Sequence, residues 1–506
     1  MTVGAPVRGK ITSTSLARPV ADSALVLENW FPTLQGARVR GGSALFATIG
    51  TTDVQSMFAY RSGSLERIFA ANAAAIYDIT APASPTVVPT PAVSGLSSGF
   101  WSTVQFETAG GDFLIAVNGT DAPQEYNGST WAAATLSGTD LTVANLSHVW
   151  AFKNRLFFIE DGTMNFWYLG VNEKGGLLTK FSMAGIFKEG GKLLMGGRWS
   201  LDAGDGLGDF CVLVSTLGEV AIFKGDNPSD ASAWSNDGTY KIARPLGKNA
   251  WMDAGGDFLI ATIEGIVPIS ATVNKDKAAL SLSAITRAVE PDWIKAVSSR
   301  QSLPWDVVRW DSNNLAIVCS PSPSAAVDDI GFSANLETGG WGTLTGWDMH
   351  CGVVAGDQLY FGNGSGQILQ GDVGGNDNGS LYTCKYAGPF ASRNSAYKVV
   401  SLMKAFFKAS KGFIAQLSVS SDYQTSFPAA PGSPSDATVD EWDSGLWDTA
   451  IWDASIGGNV STRWRSVVGQ GDVLSPQIQM SFGVNFKPDV ELIKTQMEGH
   501  QGNRVT

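Results

Sequence analysis

Catalysis at neutral pH needs histidines, thiols or carboxylates held in fixed company, and this chain is poor in the first of these. Its three histidines, His148, His350 and His500, lie far apart, and none has a second His at metal-ligand spacing. There is no H-E-x-x-H and no G-x-x-x-x-G-K-[ST] sequence, which disfavours the common zinc hydrolase and nucleotide-binding chemistries. Two glycine clusters, Gly204 to Gly208 and Gly362 to Gly366, superficially resemble phosphate-cradling loops. Each leads into a strand-like run, however, and not into a helix whose first amides could hold an anion. The acids Asp202, Asp205 and Asp209, and the run Asp372, Asn376, Asp377, Asn378, carry oxygen ligands but lack the D-x-[DN]-x-[DN]-G-x5-E spacing of a calcium loop. Turn formation explains them better. Ser235 to Tyr240 is a single degenerate copy of an Asp-containing hairpin of the sort propeller glycosidases repeat, and no pair of strand-end acids stands out for glycosidic chemistry. Three Trp-Asp dipeptides, at Trp442, Trp447 and Trp452, offer either a sugar-stacking surface or aromatic packing of a long loop, and packing is favoured. The sequence therefore assigns no catalytic, cofactor-binding or metal-binding residue, and the chain is expected not to be an enzyme.

The elements that would carry these residues are short strands. Of 506 residues, 44% are apolar and only 16% charged, with 58 glycines, 17 tryptophans and 25 phenylalanines. Such a composition suits many strands joined by tight turns. Seven apolar anchors recur, centred on Ile68, Leu114, Leu156, Val212, Leu259, Leu315 and Leu359, at intervals of about 42 to 56 residues. Most are followed by a glycine-bearing turn and a further strand: Asn118-Gly119, Asp161-Gly162, Leu217-Gly218, Glu264-Gly265 and Ser365-Gly366. The period fits the ~40–50 residues of a four-stranded propeller blade. The expected fold is all-β: a β-propeller of about seven blades, six being possible, with a β-sandwich-like domain after it. Stacked sandwiches are the rival architecture. No helix-length apolar pattern is expected to interrupt the array. Trp131, Trp199, Trp234 and Trp341 recur after the hairpins, and Asn335 to Trp341 reads as an outer-strand turn whose Trp covers the space between blades.

The divisions expected are a distinct N-terminal segment over 1–45, to which the resemblance described below assigns docking, the propeller over 46–372, and a C-terminal β-rich domain over 373–506 that carries a long acidic Trp-Asp loop. Gly371 to Gly379 reads as a flexible junction, and Pro488 to Thr506 as a polar tail. Cys211, Cys319, Cys351 and Cys384 show no C-x-x-C pairing and are expected as buried free thiols made in a reducing cytoplasm. Neither a signal peptide nor a run of ~18 apolar residues is seen. A net charge of −12 argues against a phosphate clamp. From Lys385 to Lys411 the chain carries six bases and no acid, whereas Asp436, Asp440, Glu441, Asp443, Asp448 and Asp453 crowd the later loop; a solvated face is the default reading, and on opposite ends of one domain the two segments would form complementary surfaces for ring assembly.

Near the start, Ala24 to Thr33, with Trp30, Phe31 and Pro32, followed by Gly36-Ala37-Arg38-Val39-Arg40-Gly41-Gly42, resembles the opening of the podovirus tail nozzle proteins, also called tail tubular protein B or the tail hub family. The motif spans about the first 45 residues, and the blade-like middle fits the family diffusely. Trp30, Phe31, Arg38 and Arg40 become candidate partner-docking residues, with internal ion pairs as the alternative for the arginines. Trp442, Trp447 and Trp452 become candidate loop contacts. What the resemblance implies is a structural virion protein of a phage tail, made in the host cytoplasm and assembled as a homohexameric ring. It would dock on the portal-adaptor, contact tail fibres or other tail proteins, and let viral DNA pass without specific binding. A host cell surface is a further candidate partner. An acidic lumen would suit DNA passage, because like charge limits sticking. The alternative reading is a virion receptor- or glycan-binding propeller; a secreted propeller glycosidase comes third.

Overall fold

The computed structural model describes residues 1–202, 207–274, 280–324, 328–391, 397–433, 459–461 and 463–501. Each of the seven anchors lies on the second strand of a small antiparallel sheet, and the sheets follow one another as blades. In blade one the strands are Ser56–Ser62, Leu65–Ala71, Ala75–Asp78 and Pro91–Ser94; in blade two, Ser102–Thr108, Gly111–Val117, Gln124–Tyr126 and Trp131–Ala133. Blade three comprises Leu146–Phe152, Arg155–Glu160, Asn165–Tyr168 and Gly176–Ser182, and blade four Leu193–Asp202, Leu207–Ser215, Glu219–Gly225 and Trp234–Lys241. Blade five has three strands, Trp251–Ala254, Asp257–Thr262 and Gly265–Pro268, and blade six four, Asp306–Trp310, Leu315–Cys319, Gly331–Asn335 and Trp341–Leu344. Blade seven takes Cys351–Ala355, Gln358–Gly362 and Gln367–Gly371 from the end of the array, and its outermost strand, Ser43–Thr48, from the beginning. The protein is thus a seven-bladed β-propeller, with the ring closed by a strand contributed from the other end of the array.

Packing explains why these strands stack as a ring. Each of seven hydrophobic clusters joins two neighbouring blades: one unites Ile68 and Met57 of blade one with Cys351 and Ile368 of blade seven, another Phe58 and Phe69 of blade one with Leu114 and Tyr126 of blade two, and so on around the disc. Fully burying a side chain of this size is worth about 1.5–3 kcal/mol, so a blade without both neighbours would expose most of its core. The turn glycines are required by backbone geometry. Gly218 and Gly366 have φ of +85° and +78°, and a Cβ on either would lie 2.5 Å from a backbone carbonyl oxygen. Trp131, Trp234 and Trp341 sit on fourth strands, whereas Trp199 is on a first strand.

Blade five departs from the sequence expectation. Its outer position is filled by helical turns, Ile269–Asn274 and Glu290–Arg300, and not by a strand. The second helix has Pro291 in its first turn with Glu290 and Asp292, and Arg300 in its last, a charge order that suits the helix dipole. It buries Trp293, Ala296, Val297 and Arg300, one face at i, i+3, i+4 and i+7 spacing.

Beyond the propeller, two sheets face each other as a β-sandwich. One runs in the order Trp30–Pro32, Ala37–Val39, Val490–Gln501, Lys398–Ala409, Asn459–Ser461, with Trp464–Gly471 also on Lys398–Ala409 and Thr2–Gly4 on Val490–Gln501. The other contains Val26–Glu28, Tyr382–Ala387, Leu474–Phe482 and Ala415–Ser421. Val26–Glu28 also pairs in parallel with blade six, at Glu28 and Thr343, so that blade and sandwich form one eight-stranded sheet. A single cluster that includes Leu27, Trp30, Tyr386, Met403, Ile478, Met480 and Leu492 fills the sandwich.

Two further expectations are corrected here. The polar tail contains Val490–Gln501, a central strand whose Leu492, Thr495 and Met497 are buried while Lys494 and Glu498 face out. The glycine-rich junction after Gly371 is locked in place: Gly42 N–H donates to Gly374 O, Asn378 N–H to Ser43 O, and a Cβ on Gly42 would strike the backbone of Asn376. All four cysteines are buried free thiols.

Candidate functional site

The residues singled out near the start of the chain converge on the seam between propeller and sandwich. Trp30 and Phe31 lie on a short strand and are buried, Trp30 in the sandwich core and Phe31 between blades six and seven. Alternation along Ala37–Val39 and the residue after it carries Arg38 and Arg40 toward the glycine-rich junction. Arg40 is wholly buried. Its Nη1 and Nη2 donate to the two oxygens of Asp377 at 2.8 and 2.6 Å, its Nε to Asn29 Oδ1 at 2.9 Å, and its remaining N–H groups to Gly41 O and Thr345 O. The guanidinium lies 4.4 Å from the Trp347 ring and 4.2 Å from that of Tyr382. Burial alone would lower its pKa, but the bidentate Asp377 carboxylate outweighs this and raises it. Arg38 forks onto Asp372 at 3.1 and 2.9 Å and covers the Phe31 ring. Asp372 also accepts from Lys487 Nζ and from Gly41 N–H, each at 2.6 Å. Burial pushes the Asp372 carboxyl up, but Arg38 and Lys487 together hold it below the usual carboxylate range.

The docking role suggested for Trp30, Phe31 and Arg40 is therefore corrected. Their side chains are enclosed within the chain, and the alternative weighed for the arginines, internal ion pairing, describes both Arg38 and Arg40. The carboxylates they meet, Asp372 and Asp377, are the ones the sequence had offered as turn formers. Trp442, Trp447 and Trp452 lie outside the described residues.

Above the seam a cleft of about 970 Å3 opens, lined by Glu28, Asp53, Asp328, Asp329, Asp348, His350 and Lys385 among others. His350 sits between two carboxylates, with Nδ1 2.5 Å from Asp53 Oδ1 and Nε2 2.9 Å from Asp348 Oδ1. Burial lowers its pKa, but the two acids raise it further, to about 9. An imidazolium with both nitrogens facing carboxylates has no lone pair left for a metal or a substrate proton; its chemistry is that of a cationic bridge joining blade seven to the approach to blade one. Among the described residues no group of three or more His, Cys, Asp or Glu is placed to hold a metal ion.

A third feature, absent from the sequence reading, is a loop over the propeller's axis. Between blades four and five, Lys248 reaches across to donate to Ser147 O at 2.8 Å and Asn118 O at 3.4 Å, and Asn249 donates to Trp101 O at 3.2 Å. These acceptors belong to the first strand of blade three, to blade two just after its second strand, and to the approach to blade two. The loop thus caps the tunnel between cavities of about 420 and 530 Å3, both lined by Asn249 and Asp306. Burial lowers the Lys248 amine to about 7, against a smaller pull from Asp161, and raises the Asp306 carboxyl to about 6. The lone sequence signal for the loop was Lys248 itself, a charge between two apolar runs.

Other motifs have structural explanations. Gly95-Leu96-Ser97-Ser98-Gly99 has the G-x-S-x-G spacing of a nucleophile elbow, a motif that reading the sequence had wrongly excluded. It lies in the link from blade one to blade two, with the Ser97 and Ser98 amides donating to Asp121, and does not join a strand to a helix. Ser235 to Tyr240 lies in the bulged outer strand of blade four.

No family model matches the chain, and no curated protein does. Among solved structures it resembles the β-propeller domain of Cps50 (Swd1) from Myceliophteria thermophila, at 11% identity and a TM-score of 0.39, over 65% of this chain and 99% of that one. It also resembles YCF48 from Cyanidioschyzon merolae, at 8% identity and a TM-score of 0.29, over 65% of this chain and 98% of that one. Likenesses this slight carry no argument; the propeller is read from its own strand pairing and inter-blade cores.

Proposed function

We propose that the chain is a non-catalytic structural protein of a phage virion, a subunit of the ring-shaped tail nozzle of a short-tailed bacteriophage. The observation that carries the reading is the eight-stranded sheet that runs unbroken from blade six through Val26–Glu28 into the sandwich, clamped by the buried Arg40–Asp377 pair. A subunit that transmits load between an adaptor above and a tip below needs two halves that do not hinge, and a shared sheet supplies that stiffness. The N-terminal stretch that resembles the nozzle family is the same stretch that makes the joint. In this reading the conduit for DNA is the axis of the ring, since each propeller tunnel is capped by its own Lys248 loop. The acid excess then suits a wall that DNA slides past.

Native mass measurement of the purified chain, alone and mixed with a portal-adaptor assembly, tests the proposal. A six-fold ring that joins the adaptor is expected. A monomer that ignores the adaptor would overturn it, and a positive glycan array from such a monomer would favour the receptor-binding alternative.

A further inference from the structure

We infer that the outward face of the sandwich sheet built on Lys398–Ala409 is a surface by which one copy of the chain binds a second copy. The inference rests on the self-assembly reading above and names the face involved. From Leu402 to Lys408 the strand alternates strictly: Met403, Ala405 and Phe407 point into the sandwich, and Leu402, Lys404, Phe406 and Lys408 point away. Register places Trp464 beside Lys404 on one flanking strand and Lys494 beside Phe406 on the other. The ammonium groups lie over rings: Lys404 is 4.6 Å from Phe406 and 5.5 Å from Trp464, and Lys494 is 4.4 Å from Phe406. On the edge strand Trp464–Gly471, Val468 is 88% exposed.

Two contrasts mark this face as unfinished. Many cations of the propeller and seam are paired within the chain, among them Arg38, Arg40, Arg61, Lys153, Lys174, Lys241 and Arg309. Among the described residues, by contrast, neither Lys404, Lys408 nor Lys494 has a carboxylate in ion-pair range. Large apolar groups are also mixed among the lysines, which solvation alone would not select. A partner that satisfies such a face must bring carboxylates together with apolar or aromatic groups. The chain itself carries both in excess: 47 acids against 35 bases overall, and between residues 436 and 453 six acids, three tryptophans and no lysine or arginine.

The same outward face also carries Glu498 beside Leu402 and Glu491 beside Lys408, so its charge is mixed and does not by itself set the symmetry of the contact. The ring reading requires a contact between this face and a different surface of the next copy, which repeats in one rotational sense and closes into a ring or extends as a filament. Nucleic acid is the competing ligand for lysines interleaved with aromatics. The net charge of −12 and the exposed aliphatic side chains Leu402 and Val468 favour a protein partner.

The test is sedimentation velocity of the full chain over a concentration series, comparing wild type with Lys404→Glu/Lys494→Glu and, separately, Val468→Asp. All three positions are on the surface, so circular dichroism melts should match wild type. The double variant should raise the dissociation concentration at least about 100-fold, and the wild-type assembly should weaken as salt rises from about 0.05 to 0.5 M. Wild type that assembles while the variants assemble equally well would overturn this inference and leave the ring reading standing. Wild type that stays monomeric would overturn both. A single-stranded oligonucleotide that binds wild type but not the double variant, with self-association unchanged between them, would assign the face to nucleic acid and likewise overturn it.

Discussion

Replacing Arg40 by Met keeps the stem between Trp347 and Tyr382 but removes five hydrogen bonds and the positive charge. What remains is Asp377, whose side chain is only 10% exposed, with its cation gone, together with the Thr345 and Gly41 carbonyls and the Asn29 amide oxygen. Breaking a buried ion pair from one side costs about 3–5 kcal/mol, because the stranded charge must be dehydrated or protonated. The remaining Trp347 Nε1 bond to Asp377 offsets little of that, since one neutral donor replaces a bidentate cation. Arg40→Lys should cost less, about 1–3 kcal/mol, because the charge survives and the fork does not. Adding Asp377→Asn to Arg40→Met should recover part of the loss, with a coupling of about 2 kcal/mol. A ring and a sandwich need not unfold together, so a single unfolding free energy would mislead. The proper readout is hydrogen exchange in Tyr382–Ala387 and Trp341–Leu344, the strands flanking Val26–Glu28. Protection in those strands that changes by less than about 1 kcal/mol in Arg40→Met would refute the view that this pair clamps the seam.

Three other outcomes are expected. Asp372, held below the ordinary carboxylate range, contributes stability that is present above its unfolded pKa of about 4 and lost as the pH falls through its lower folded value; Asp372→Asn should flatten the acid limb of a urea-midpoint titration. His350 behaves in the opposite sense: its stabilisation is complete below about pH 6.5 and lost as the pH rises through about 9, so His350→Gln should be weaker than wild type at pH 6 and converge with it by about pH 10. Gly366→Ala forces a side chain at φ +78° into a carbonyl oxygen 2.5 Å away and should cost about 1–3 kcal/mol, seen as a lower thermal midpoint.

The ring was legible because its signal is local. An apolar second strand is a short pattern, and its seven repetitions located every blade, five of them with a glycine at positive φ in the turn that follows. The helix at Glu290–Arg300 also carried a local signal, since Trp293, Ala296, Val297 and Arg300 recur at helical spacing behind a proline. That signal was masked by the expectation of a fourth strand. Val490–Gln501 was hidden for a different reason: charged outward residues lower its mean hydropathy, and a register shift between Leu492 and Lys494 breaks the alternation of its buried residues Val490, Leu492, Thr495 and Met497. At the seam, internal pairing of the arginines was legible only as an alternative, and their partners were not legible. Whether Arg38 and Arg40 meet another chain or their own depends on Asp372 and Asp377, more than 330 residues away, and no pattern along the chain encodes that meeting. The His350 bridge and the reach of Lys248 across the tunnel are of the same non-local kind.

Blade closure also sets an order of events at the ribosome. Ser43–Thr48 emerges before any blade has formed, yet its hydrogen-bonding partner is Gln367–Gly371, the last strand of the array to be made. Thr2–Gly4 waits longer still, for Val490–Gln501. Until then the early segments have no edge to join, and blades one to six must accumulate as an open arc with the apolar faces of its two terminal blades bare. Contacts this distant in sequence make folding slow. They also make it largely post-translational, which leaves an interval in which a chaperone, or a neighbouring arc, can occupy the gap.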